Sequence, residues 1–104
     1  MGHFVRAAAA IDIPEGKMKT FEIEQTRFII AHTTAGFFAV ADECSHDAGP
    51  IGQGRIRGNE VVCPRHGARF DLKTGAPTAP PAVAPIDSYR VKLENGELFV
   101  CLED

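Results

Sequence analysis

The pair Asn95-Gly96 constrains the fold of this chain more than any other two residues. A two-residue type I′ hairpin needs positive φ at both central positions, and Asn-Gly is the favoured pair there. Folding the chain at that point sets Leu93 against Leu98, Val91 against Val100 and Tyr89 against Leu102, all on one face. Glu94, Glu97, Lys92, Phe99, Arg90 and Cys101 fall on the other. Every apolar pair agrees with one register, and a slip by a single residue would turn the whole set over.

Strand signals continue upstream. Phe21 and Ile23 alternate with Glu22 and Glu24. Arg27 to Ala31 and Phe37 to Val40 read as two further strands, with a turn at Thr34-Ala35-Gly36 between them. Gly58-Asn59 joins Arg55-Ile56-Arg57 to Glu60-Val61-Val62 as a short hairpin, and Pro14-Glu15-Gly16 is another turn. Only Ala7 to Ala10 has clear helical propensity, and Pro14 limits a helix there to about one or two turns. Thr74 to Pro85 holds Pro77, Pro80, Pro81 and Pro85 and reads as a stiff loop. The expected fold is all-β, a small antiparallel barrel or sandwich, in one domain spanning residues 1–104.

Composition narrows the function. The chain has 104 residues, 44% hydrophobic and 24% charged, enough to bury a core without disulfides or metal. A formal charge of -3 argues against a nucleic-acid binder. No apolar stretch approaches the roughly 20 residues that span a bilayer. Ala7 to Ala10 is too short for a signal sequence, and Arg6 stands where a myristoylation signal wants Ser or Thr. A soluble, cytoplasmic protein is expected, and its three cysteines suit a reducing compartment.

Two clusters carry chemistry: Cys44-Ser45-His46 and Cys63-Pro64-Arg65-His66, with sixteen residues between His46 and Cys63. Each supplies one thiolate and one imidazole, and each is followed by glycine. Cys101 within the last strand, His3 at a terminus and His32 at a strand end read instead as structural. The paired clusters read as a metal site at Cys44, His46, Cys63 and His66. Zinc with two Cys and two His is the simplest occupant, although zinc fingers pair Cys with Cys and His with His. Blue copper would want an axial Met, and neither Met1 nor Met18 is near the clusters in sequence. A two-iron cluster with two Cys on one iron and two His on the other uses all four ligands.

The pattern Cys-x-His, sixteen residues, Cys-Pro-x-His-Gly resembles the Rieske [2Fe-2S] proteins. The resemblance runs from about Ala10 to the end, through Cys63-Pro64-Arg65-His66-Gly67-Ala68-Arg69-Phe70-Asp71 and the Ala79-Pro80-Pro81-Ala82 stretch, which looks like the family's proline loop. It implies a Rieske-type iron–sulfur domain with a cluster-binding subdomain at about residues 42–72. By that resemblance Cys44 and Cys63 hold the inner iron of one [2Fe-2S] cluster, and His46 and His66 hold the outer iron. Two ferric irons, two sulfides, two thiolates and two neutral imidazoles sum to zero charge. An electron therefore enters more easily than into an all-thiolate cluster, within about -150 to +300 mV.

The quinol-oxidising branch of the family carries a disulfide between the cluster loops. Gly49 and Arg65 stand at the matching positions, so none can form. Ala68 and Phe70 stand where that branch places hydroxyls near the sulfurs, which implies a potential at the low end of the class. The chain is similar to the stand-alone Rieske ferredoxins. These imply a monomeric, non-enzymatic electron carrier between an NAD(P)H-dependent flavoprotein reductase and a terminal oxygenase. The other readings are a redox-sensing or iron–sulfur-assembly accessory protein, and a structural zinc module. His46 and His66 would form the docking face, ringed by Asp47, Gln53, Arg65 and Pro80-Pro81.

Overall fold

The computed structural model describes residues 3–45 and 47–102. In chain order its strands are β1 (Phe4–Ala9), β2 (Met18–Ile23), β3 (Thr26–Thr33), β4 (Gly36–Ala41), β5 (Arg55–Arg57), β6 (Glu60–Val62), β7 (Arg69–Asp71), β8 (Pro77–Ala79), β9 (Ser88–Glu94) and β10 (Glu97–Cys101). They form a six-stranded antiparallel sheet in the order β1-β10-β9-β4-β3-β2, curled towards a barrel, and a four-stranded sheet β5-β6-β7-β8. No helix among the described residues is long and apolar enough to cross a membrane.

The run Phe28-Ile29-Ile30-Ala31 explains how the two sheets share a wall. A strand that faces water on one side alternates apolar and polar residues; this one does not, because both of its faces are covered. Phe28 and Ile30 enter a core with Ile13, Ala39, Leu98 and Val100. Ile29 and Ala31 point the other way, into a core with Val40, Val61, Phe70 and Leu72. That second core also contains Cys44 and Cys63. Full burial of side chains such as Phe28, Phe70 and Ile29 stabilises the fold by about 1.5–3 kcal/mol each.

The expected hairpin forms as its turn chemistry requires. Asn95 has φ 53 and Gly96 φ 77, and Leu93 pairs with Leu98 and Val91 with Val100. Tyr89 differs: β10 stops at Cys101, and Tyr89 pairs with Ala39 of β4. On the opposite face Cys101, which pairs with Phe4 of β1, is buried. The expected turns form at Thr34-Ala35, at Pro14 (Lys17 N–H donates to its carbonyl, 3.0 Å) and at Gly58-Asn59 between β5 and β6.

Two expectations change. Ala7 to Ala10 is not a helix; β1 runs through Ala9, and only Ala10–Asp12 turns as a 3-10 segment. Pairing along β10, from Phe4 with Cys101 to Ala9 with Glu97, outweighs the alanines' weak preference. The register shifts between Arg6 and Ala8, so Ala7 is bulged out of the ladder. Within the proline-rich stretch, Pro77–Ala79 pairs with β7 rather than staying loop. Proline is tolerated there because β8 is an edge strand and Pro77 is its first residue.

Candidate metal centre

The two loops that carry the cysteines are built alike. Cys44 follows β4, and its N–H donates to the Gly49 carbonyl (2.8 Å) while its own carbonyl accepts from Ala48 N–H (2.7 Å). Cys63 follows β6, and its N–H donates to the Ala68 carbonyl (2.7 Å) while its carbonyl accepts from Gly67 N–H (3.1 Å). Each loop is thus a six-residue ring closed at its first and last residues. The fifth residue of each ring lies in the left-handed region, Ala48 at φ 61 and Gly67 at φ 75.

Both rings rest on the second core. Cys44 and Cys63 are 1% exposed and neither is in a disulfide. Their sulfurs and a carboxylate oxygen of Asp47 all lie within 4.8 Å of one another. Low exposure beside Ala68 and Phe70 keeps water from the thiols. The loop leaving the first ring is held down by Asp42, whose Oδ1 accepts from Ile51 N–H (2.8 Å) and Gly52 N–H (2.7 Å). Asp42 is itself buried, and Arg27 Nη2 stands 3.5 Å from its other oxygen. Sequence reading missed Asp42, because an Asp after a strand announces nothing until the chain returns to it nine residues later. The proline-rich stretch is tied to the first ring by Ser45, whose hydroxyl donates to the Ala84 carbonyl at 2.6 Å.

His66 belongs to the second ring, and its side chain is 53% exposed. Its Nδ1 lies 3.6 Å from Asp47 Oδ2, which joins the imidazole to the group around the sulfurs. His46 lies outside the described residues. Of the expected ligands, Cys44 and Cys63 are thus brought together beside Asp47, and His66 lies against the same carboxylate.

Asp47 and Arg65 do more than line the rim. Arg65 Nε donates to Asp47 Oδ2 (2.6 Å) and Nη2 to Asp47 Oδ1 (2.9 Å), a bidentate pair from ring to ring. Arg65 Nη1 donates to the Pro50 carbonyl at 2.7 Å. Asp47 Oδ1 also accepts from Gly49 N–H at 3.0 Å. The Arg65 hydrogen bonds hold the Asp47 carboxyl well below the usual carboxylate range. The same hydrogen bond, with smaller contributions from the charges of Cys63, Asp47 and Cys44, makes the guanidinium still harder to deprotonate.

The residues read as structural lie elsewhere. His32 Nδ1 is 2.7 Å from the Ile13 carbonyl and its ring stacks on Phe37. His3 pairs with Glu24 at 3.4 Å. Cys101 is buried at the β1–β10 pairing, with Arg90 Nη2 at 4.0 Å. Arg69 Nε lies 3.7 Å from a carboxylate oxygen of Glu60.

Known proteins are similar to this chain in sequence and fold. The chain is 33% identical over 102 residues to the 3-phenylpropionate/cinnamic acid dioxygenase ferredoxin subunit of Shigella flexneri serotype 5b, covering 96% of this chain and 94% of that protein. Its fold superposes on the ferredoxin of carbazole 1,9a-dioxygenase from Nocardioides aromaticivorans with a TM-score of 0.92 and 29% identity, covering 96% of this chain and 98% of that one. A complex of reduced oxygenase and oxidized ferredoxin in carbazole 1,9a-dioxygenase contains a chain matching at TM-score 0.90 and 25% identity, over 97% of this chain and 94% of that one. Residues 3–90 match the Rieske [2Fe-2S] domain, and with two like rings each carrying a buried thiol, the chain belongs to that family.

Proposed function

We propose that this chain is a one-electron carrier, the ferredoxin component of an oxygenase system, which receives electrons from an NAD(P)H-dependent flavoprotein reductase and delivers them to a terminal oxygenase. The observation that carries this reading is the placement of two buried thiols, neither in a disulfide, beside Asp47, which in turn contacts a surface imidazole at His66. The oxygenase-system names of the relatives support the same assignment.

The residues fit a Rieske cluster. Cys44 and Cys63 are the thiolate ligands, close together and shielded from water. His66 and His46 are the imidazole ligands. The cluster, when bound, supplies a site for a single electron, with a potential inside the range of about -150 to +300 mV. Ala68 and Phe70, both fully buried, offer no hydroxyl to it, which keeps the potential low in that range. The exposed edge of His66 brings the partner within short reach, so the docking face surrounds the two rings. The chain works as a cytoplasmic monomer, one domain over residues 1–104 with its cluster loops at about 42–72. It needs no substrate site of its own.

The test is spectroscopic and then functional. The purified protein is expected to be red-brown, with equal iron and acid-labile sulfide, and to give a low-average-g EPR signal after dithionite reduction. NADH with a flavoprotein reductase of a dioxygenase system should bleach its visible bands reversibly. A colourless protein that holds zinc overturns the cluster; a coloured protein that no such reductase reduces overturns the carrier role.

A further inference from the structure

We propose that Asp47 and Arg65 form a charge-neutral staple between the two rings, one that retains the cluster and balances charge beside it. This rests on the cluster assignment above. Several observations meet at the pair. Asp47 and Arg65 lie on different rings, eighteen residues apart in sequence, and join through two parallel hydrogen bonds of 2.6 and 2.9 Å. Fork-to-carboxylate geometry of this kind fixes orientation as well as distance. Both ends are anchored: Gly49 N–H donates to the carboxylate, and Arg65 Nη1 donates to the Pro50 carbonyl.

The backbone makes room for the staple. A Cβ on Gly49 would stand 2.6 Å from Arg65 Cζ, so any larger residue would push the guanidinium off its seat. Gly49 and Arg65 are thus in direct contact across the rings, although the link between the loops is ionic. The pair also lies close to the redox site, since an Asp47 oxygen is within 4.8 Å of both sulfurs. A bare carboxylate there would oppose the arrival of an electron, and Arg65 cancels it. The side chains are only 33% and 23% exposed, so salt screens the pair less than it would a free surface pair.

Two measurements separate this role from ordinary rim packing. Cluster loss is followed as the decay of visible absorption in excess chelator, and the reduction potential by dye titration. Arg65→Met and Asp47→Asn should each lose the cluster roughly tenfold faster than the native protein. Their potentials should move in opposite directions: down in Arg65→Met, which leaves Asp47 uncompensated, and up in Asp47→Asn, which leaves Arg65 uncompensated. Arg65→Lys keeps the charge without the fork, so its potential should stay near native while its cluster is lost faster. It also serves if Arg65→Met fails to fold. The double variant Asp47→Arg with Arg65→Asp should recover part of the retention. Unchanged loss rates, or potentials that shift the same way in both single variants, overturn the staple. A native protein with no iron–sulfur absorption overturns the cluster assignment, and the staple with it.

Discussion

The ring from Cys44 to Gly49 and the ring from Cys63 to Ala68 have the same hydrogen-bond frame and different side chains in it. At the third position one carries His46 and the other Arg65; at the fourth, one carries Asp47 and the other His66. The imidazole is therefore one place later in the second ring. The place it vacates in each ring is filled by a charge, and the two charges find each other across the gap. Backbone closure and side-chain chemistry are thus separable here. The frame sets where a thiol enters the core, and the third and fourth positions decide what surrounds it. A frame used twice can hold a pair of ligands and a pair of counter-charges without any covalent link between the loops.

The sharpest way to break the equivalence is at the first position. Cys44→Ala and Cys63→Ala should each abolish the visible absorption and the bound iron, because each removes one of two thiolates from the same core. If either variant keeps its colour, the rings are not equivalent holders.

The fifth position offers a subtler contrast. Gly67→Ala should destabilise the protein by about 1–2 kcal/mol, since an L side chain would be forced into the left-handed region. Ala48→Gly relieves the same strain in the other ring and should stabilise by up to about 1 kcal/mol, partly offset by added freedom in the unfolded chain. Thermal unfolding of the pair reads out the opposite signs; a common sign would mean that the frames differ in strain.

Acid should dissolve the charge bridge between the rings. The folded-state value of Asp47 is depressed, so its contribution to stability is complete above the ordinary carboxylate value of 3.8 and declines only as pH falls from there towards the lowered one. The stability gap between the native protein and Asp47→Asn should thus be constant from about pH 7 to 5 and narrow below about pH 4. A gap that does not change with acid would show that the carboxylate charge contributes nothing. The smallest effect is expected outside the rings: Cys101→Ser should leave the visible spectrum intact, since that thiol is buried at the β1–β10 pairing.

Much of this was legible in the chain as written. The hairpin at Asn95-Gly96 follows from local turn chemistry and from apolar residues two apart, both of which survive any tertiary context. The thiol and imidazole positions were visible because Cys and His are scarce and cluster at short spacing. The alanine run was misread because its fate depended on an edge of β10 more than eighty residues away, and weak propensity yields to ladder pairing. The use of Pro77 in a strand was hidden for a similar reason, since only position at a sheet edge makes it acceptable.

The amino-acid sequence by itself determined the all-β class, the C-terminal register and the two short clusters in which thiols and imidazoles stand together. Each of these depends on residue identity and on neighbours a few places away. Tertiary structure decided which of those residues meet. It made Phe28-Ile29-Ile30-Ala31 the wall between two cores, placed Asp42 under the loop that follows the first ring, and brought Asp47 to Arg65. Such pairings depend on chain path and burial across tens of residues, and no local pattern encodes them.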